Sequence, residues 1–216
     1  MKTEDISGYI YESGEQNCSH DYLLPCILRL LDDVRRVAGS PHHKKDKNLF
    51  EVGCGNGSVA SAITSRGWKV TGIDPSRQGI QYARSQYPDL SLYQGSAYDD
   101  LAERYGHFPV VLSLEVVEHV YDPRRYASTV FSLLEPGGTA IISTPYHSYL
   151  KNLALALTGK MDAHFTALWD HGHIKFWSYK TLSMLLTETG FTDIRFERVG
   201  RIPPLAKSMI AIARKP

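Results

Sequence analysis

The segment Leu49-Phe50-Glu51-Val52-Gly53-Cys54-Gly55-Asn56-Gly57 constrains this chain most, because an apolar strand runs into three glycines at alternate positions and then into a helix-forming stretch. Glycine takes positive φ without steric cost and lets a ligand approach main-chain N–H groups with no Cβ in the way. A strand that ends in such a turn and resumes as a helix opens a βαβ unit with a ligand-binding loop. The spacing is G-x-G-x-G, with Glu51 two places before the first glycine, rather than the G-x-G-x-x-G of dinucleotide-binding folds. A dehydrogenase is thereby the weaker reading.

Apolar periodicity extends the unit into a whole domain. Leu23, Leu24, Ile27, Leu28, Leu31 and Val34 recur at helical spacing and predict a helix over 22–38. A polar connector over 39–47, rich in His and Lys, should be solvated. Strands are then expected over 49–52, 69–73, 90–93, 110–114 and 139–143, with helices over 58–66, 76–86 and 124–134 between them and a Pro136-Gly137-Gly138 turn before the fifth strand. Strand and helix in alternation imply a parallel sheet. The stretch 146–177 is aromatic and histidine-rich with no clear period. A helix over 179–189 and strands over 193–199 and 208–213 follow, which suggests an antiparallel pair at the sheet edge. The expected fold class is therefore α/β: a doubly wound, Rossmann-like, seven-stranded mixed sheet with an antiparallel last strand. Residues 1–47 would form a helical cover and linker, and 48–216 the catalytic domain with an acceptor-loop insertion at about 146–177.

Bulk properties narrow the function. A chain of 216 residues is large enough for one substantial core. Its formal net charge of +1 gives no overall basic field to attract nucleic acid. Cys18, Cys26 and Cys54 lack metal or disulfide spacing, which points to a reducing, cytoplasmic setting. The polar start Met1-Lys2-Thr3-Glu4-Asp5 precedes no apolar leader core, and no apolar run reaches the ~18 residues of a membrane span. A soluble protein is expected; composition sets no oligomeric state.

Further polar residues fall where chemistry would need them. In Thr71-Gly72-Ile73-Asp74-Pro75-Ser76 the acid emerges at a strand's carboxyl end, on the rim that carries the glycine loop. Its two oxygens could accept hydrogen bonds from both hydroxyls of a ribose, or Asp74 could cap the next helix. Glu115, Glu118 and His119 stand at i, i+3 and i+4 after the fourth strand; if Glu115 begins a helical turn, they share one face, as a metal site or a carboxylate-oriented histidine requires. Trp169-Asp170-His171-Gly172-His173 invites a zinc reading, but a third ligand is not evident and His173 is the better candidate to face a pocket.

The run E-V-G-C-G-N-G resembles the first motif of class I S-adenosylmethionine (SAM)-dependent methyltransferases. L-E-V-V-E-H-V over 114–120, the Pro-Gly-Gly turn before I-I-S-T-P, and G-H-I-K-F over 172–176 are similar to segments of the ubiquinone-biosynthesis O-methyltransferases. The resemblance covers roughly 49–190. It implies SAM as cofactor, bound by Glu51, Gly53, Cys54, Gly55, Gly57, Asp74, Pro75 and Glu115. The position that often carries an adenine-binding Asp is Ser96 here, so Ser96 or the backbone of Ala97 would substitute. Carried over residue by residue, Glu115, Glu118 and His119 would hold a divalent ion such as Mg²⁺, although two carboxylates and an imidazole suit magnesium only moderately. An apolar helix over 146–157, beside the cofactor rim, could be a lid over the substrate or an ordinary helix packed on the core; the resemblance implies a patch touching the membrane there.

A phenol ionises near pKa ~10, so a base or metal must remove its proton at neutral pH; His119 and His173 are the candidate catalytic residues. These bases lean the expectation toward methyl transfer to a hydroxyl of a small, catechol-like and lipophilic acceptor. Methylation of an amine or carboxylate, or a non-catalytic SAM-binding module, are the alternatives. The absence of an N-P-P-Y-type motif where Ser113-Leu114-Glu115-Val116 stands argues against nucleic-acid bases as acceptors.

Overall fold

A computed structural model describes residues 20–36, 47–170 and 172–216. The polar N-terminus, Cys18, most of the predicted basic connector and His171 of the zinc reading lie outside the described residues.

Seven strands form one sheet: β1 (Asn48–Val52), β2 (Lys69–Asp74), β3 (Ser91–Gln94), β4 (Phe108–Leu114), β5 (Leu134–Pro145), β6 (Thr192–Val199) and β7 (Ser208–Arg214). Their order is β3-β2-β1-β4-β5-β7-β6, with β7 antiparallel to both neighbours and all other pairings parallel. This is the mixed, doubly wound sheet expected from the alternation of elements. β5 begins earlier than the Pro-Gly-Gly turn suggested: Leu134 already pairs with Phe108, and the register slips before Val110 meets Thr139.

Side-chain alternation explains why the strands read as nearly continuous apolar runs. Phe50, Val111, Ile142 and Ala211 face one core with Tyr126, Val130 and Leu186, whereas Leu49, Leu112, Ile141 and Ile210 face the other with Ile27, Val59 and Ile63. A parallel sheet covered on both faces is apolar at nearly every strand position. The first core is closed by α4 (Leu101–Tyr105), α5 (Pro123–Leu133) and α8 (Tyr179–Thr189); the second by α1 (His20–Arg36), α2 (Ser58–Thr64) and α3 (Arg77–Gln86). Two further helices, α6 (Tyr149–Leu157) and α7 (Met161–Phe165), lie in the stretch that shows no period in sequence, and neither buries a residue.

This topology decides where a ligand can sit. β1 pairs with β2 on one side and β4 on the other, so the chain order reverses at β1 and the loop after it opens at the switch point. Because β6 runs alongside β1–β5 in direction, the β6–β7 link over 200–207 returns to the same rim.

Candidate active site

The glycine turn is held open by backbone geometry. Gly53, Gly55 and Gly57 have φ of 88°, 52° and 80°. At Gly53 a Cβ would lie 2.3 Å from Val116 Cγ2, so the turn admits no larger residue without displacing the segment after β4. The N–H groups of Gly53 and Cys54 both donate to the carbonyl of Ile73, at 2.8 and 2.9 Å.

Asp74, 5% exposed, locks the two strand ends together. Its Oδ2 accepts from the Gly55 N–H at 2.9 Å and its Oδ1 from the Ser76 N–H at 2.8 Å. The cap of α3 is Ser76, whose Oγ accepts from the Gly79 N–H at 3.0 Å. The capping option weighed for Asp74 therefore falls to its neighbour. Glu51 lies beneath the turn, 1% exposed, with Oε2 buried and unpartnered. Burial, reinforced by the charge of Asp74, pushes its carboxyl up to about 8.

Ser96 and Ala97 follow β3, next to this corner: the Gly95 N–H donates to the Asp74 carbonyl at 3.1 Å. Ser96 spends its N–H on Asp99 Oδ2 at 2.8 Å, and its Oγ accepts from the Tyr98 N–H at 3.2 Å. The two residues form a tight turn beside the cavity rather than part of its lining.

The polar cluster after β4 differs from the helical turn expected. Glu115 takes a left-handed φ of 54°, and a turn closes only after it, with the His119 N–H donating to the Val116 carbonyl at 2.9 Å. The Glu115 carboxylate is drawn away from Glu118 and His119: Oε1 accepts from Ser143 Oγ at 2.7 Å and Oε2 from Ser208 Oγ at 3.2 Å. Ser208 Oγ in turn contacts the Tyr22 hydroxyl at 3.1 Å, which links α1 to the site. Burial raises Glu115 to about 7 against the pull of these hydroxyls and of Lys151.

In place of Glu115 the fold supplies His173. The ligand atoms of Glu118, His119 and His173 lie within 4.8 Å of one another, and the two imidazole rings stand 4.9 Å apart edge to face. The triad expected from sequence is thus regrouped, because the segment over 172–177 is pinned onto the turn: Ile174 and Lys175 donate to the Glu118 carbonyl at 2.9 and 3.0 Å, and Trp177 Nε1 to the Val117 carbonyl at 3.0 Å. The His119 Nδ1 pairs with the Gly172 carbonyl at 3.1 Å, which makes it the protonated nitrogen and leaves Nε2 as the basic one. The Glu118 carboxylate is buried, and burial, then the charge of Glu115, raises it well above the usual range against weaker hydrogen bonds from its own backbone and from Thr144. His173 is lowered to about 4 by burial and by His119, so it is neutral near pH 7.

The ends of β1, β2 and β4 open onto one cavity of ≈ 690 Å³. Glu51, Gly53, Cys54, Gly55, Asp74 and Pro75 line it together with Glu115, His119 and His173. It is also lined by Tyr22, Asn56, Lys151, Arg201, Lys207 and Ser208, which sequence reasoning missed. Apart from Tyr22 on α1 and Lys151 on α6, their only signal in sequence is a polar residue near a strand end on the rim, legible once the strand order is known.

The methyltransferase-domain family matches residues 24–195. The chain belongs to this methyltransferase family. A ubiquinone biosynthesis O-methyltransferase of Cereibacter sphaeroides is 30% identical over 192 residues, covering 86% of this chain and 74% of that protein. Another, of Caulobacter vibrioides, is 38% identical over 125 residues, covering 56% of this chain and only 48%, about half, of its own length. Among solved structures, a SAM-dependent methyltransferase from Thermotoga maritima, a possible histamine N-methyltransferase by its description, superposes with a TM-score of 0.60 at 18% identity, over 90% of this chain and 92% of that one. At that identity the likeness speaks for the methyltransferase fold alone, in agreement with the sheet order described above.

Proposed function

We propose that this methyltransferase moves a methyl group from SAM to the hydroxyl oxygen of a small, catechol-like acceptor. One observation carries the reading: the glycine turn fixed by Asp74 lines the same cavity as His119 and His173. When bound, SAM supplies a methyl already activated on a sulfonium. The residues for holding it fit: a carboxylate oxygen accepts more than one hydrogen bond, so Asp74 can bind ribose hydroxyls while it braces Gly55 and Ser76. Glu51, buried with an unpartnered oxygen, offers an acceptor to an ammonium group. Ser96 and Ala97 stand beside Asp74, where the adenine would lie.

Orientation of the acceptor oxygen behind the methyl supplies much of the rate. In that transfer the acceptor's hydroxyl proton would pass to Nε2 of His119, whose Nδ1–H is held by Gly172. His173 serves beside it as a neutral hydrogen-bonding partner, since its lowered basicity makes it the poorer base. The same cluster could hold a divalent ion through Glu118, His119 and His173. One carboxylate and two imidazoles suit a borderline transition ion better than oxygen-seeking Mg²⁺. The exposed apolar face of α6 supports peripheral membrane contact for a lipophilic acceptor, and two free cysteines, Cys26 and Cys54, fit a reducing cytoplasm. No helix of the described residues is long and apolar enough to cross a membrane.

The test combines calorimetry with S-adenosylhomocysteine and transfer of labelled methyl to a catechol panel. Asp74→Asn should weaken cofactor binding, while His119→Ala should bind it normally and lose ~10²–10⁴-fold in turnover. Failure of the wild type to bind the cofactor, or undiminished turnover in His119→Ala, would reject the assignment. Activity with added Mn²⁺ or Mg²⁺ against chelator decides the metal.

A further inference from the structure

The carboxylates of the cavity, Glu51, Asp74 and Glu115, sit at the carboxyl ends of β1 and β2 and just after β4. Three cations line the same cavity from other elements: Lys151 on α6, and Arg201 and Lys207 on the β6–β7 link. α6 and the β6–β7 link adjoin through Tyr146. The Lys151 Nζ donates to the Tyr146 carbonyl at 3.1 Å, the Tyr146 N–H donates to the Lys207 carbonyl at 2.9 Å, and the Lys207 Nζ lies 5.0 Å from the centre of the Tyr22 ring. Arg201 is close enough to Lys151 to lower its ammonium pKa, second only to burial.

Among the described residues, none of the three has a carboxylate within ion-pair distance; the surface pairs engage Arg29 and Arg124 instead. Glu115 interacts with Lys151 at longer range, but its oxygens are already taken by Ser143 and Ser208. Like charges gathered around a concave site repel one another and raise the local concentration of anions. The Tyr146 carbonyl and the Tyr22 ring hold two of the three in place but neutralise neither, so a ligand with a negative group gains from the arrangement.

We propose that the methyl acceptor itself carries an anionic group, a carboxylate or phosphate, that Arg201, Lys207 and Lys151 hold at the cavity mouth; this inference rests on the methyl-transfer reading above. An arginine and two lysines around one anion supply charge-assisted hydrogen bonds with both a planar fork and point charges. The anchored group would orient the acceptor hydroxyl toward His119. The methionine carboxylate of the cofactor is the competing source of the same chemistry, and the experiment separates the two.

The full chain is titrated calorimetrically with S-adenosylhomocysteine, then, once saturated, with 3,4-dihydroxybenzoate and separately with the neutral 3,4-dihydroxybenzamide. The benzoate should bind roughly ten- to hundredfold more tightly than the amide, the range expected for hydrogen bonds to charged groups. That advantage should shrink with added salt. It should also collapse in an Arg201→Gln, Lys207→Gln double variant, whose affinity for S-adenosylhomocysteine stays at the wild-type value. Both side chains are exposed, and Lys207 serves the fold through its backbone groups, so the variant should melt with the wild type. Cofactor binding with no advantage for the benzoate, including no binding of either compound, overturns this inference and leaves methyl transfer standing. A double variant that loses S-adenosylhomocysteine instead assigns the cations to the cofactor and overturns it equally. Absence of cofactor binding by the wild type removes the methyl-transfer reading and this inference with it.

Discussion

Glu51 shows how one buried side chain couples ligand binding to pH. Its folded pKa of about 8 stands above the ordinary 4.5, so the protonated form is the one the fold favours. The stability this contributes is complete below pH 4.5 and is lost as the pH rises through 8. If an ammonium group docks against Glu51 and ionises it, binding of S-adenosylhomocysteine near pH 7 should release close to one proton. Calorimetry in buffers of different ionisation enthalpy reads that release as a slope, which Glu51→Gln should flatten. At Gly53 the constraint is steric: Gly53→Ala meets both a φ of 88° and a Cβ 2.3 Å from Val116, so a loss of ~1–3 kcal/mol in denaturant unfolding is expected. The glycine turn, Glu51 and Asp74 were legible in sequence because each occupies a fixed place relative to a strand end. The partner of Glu118 was not, since His173 reaches it from 55 positions away through backbone bonds that no spacing rule encodes.

Periodicity missed α4, α6 and α7, and of these α6 has the most apolar exposed surface. Ala154 and Leu155 face the cavity, whereas Tyr149 is 92% and Leu157 78% exposed, with Leu150 and Leu153 exposed beside them. Apolar residues on both faces erase the amphipathic contrast that marks a helix in sequence. Such an outward face suits a bilayer interface. Replacing Leu150, Leu153 and Leu157 with Ser should abolish cosedimentation with phospholipid vesicles while leaving the melting temperature close to wild type, because none of the three is buried; vesicle binding equal to wild type would remove the membrane role. By contrast, the span of α8, Tyr179–Thr189, agrees with the sequence expectation residue for residue. Its capping box, Ser178 with Thr181, and a left-handed Gly190 mark both ends locally.

Across the whole molecule, α1 is integral to the second core rather than a detachable lid. Leu23 and Ile27 are fully buried against the residues of β1, β4 and β7, and Tyr22 reaches the cavity and Ser208. Ile27→Ala should therefore cost ~2–5 kcal/mol of global stability in chemical denaturation, and a much smaller loss would mean that α1 unfolds apart from the sheet. Alternation of apolar runs with glycine turns was enough to determine the strand count, the doubly wound class and the corner where the glycine turn meets Asp74, because those depend on contacts near strand ends and on the two-sided burial of a parallel sheet. Which side chains meet across the cavity was decided only by tertiary structure. The reversal of β7 carries the 200–207 link back to the rim, and the 172–177 segment folds onto the turn after β4, so that cations and a second histidine converge from positions whose separation along the chain carries no periodic signal.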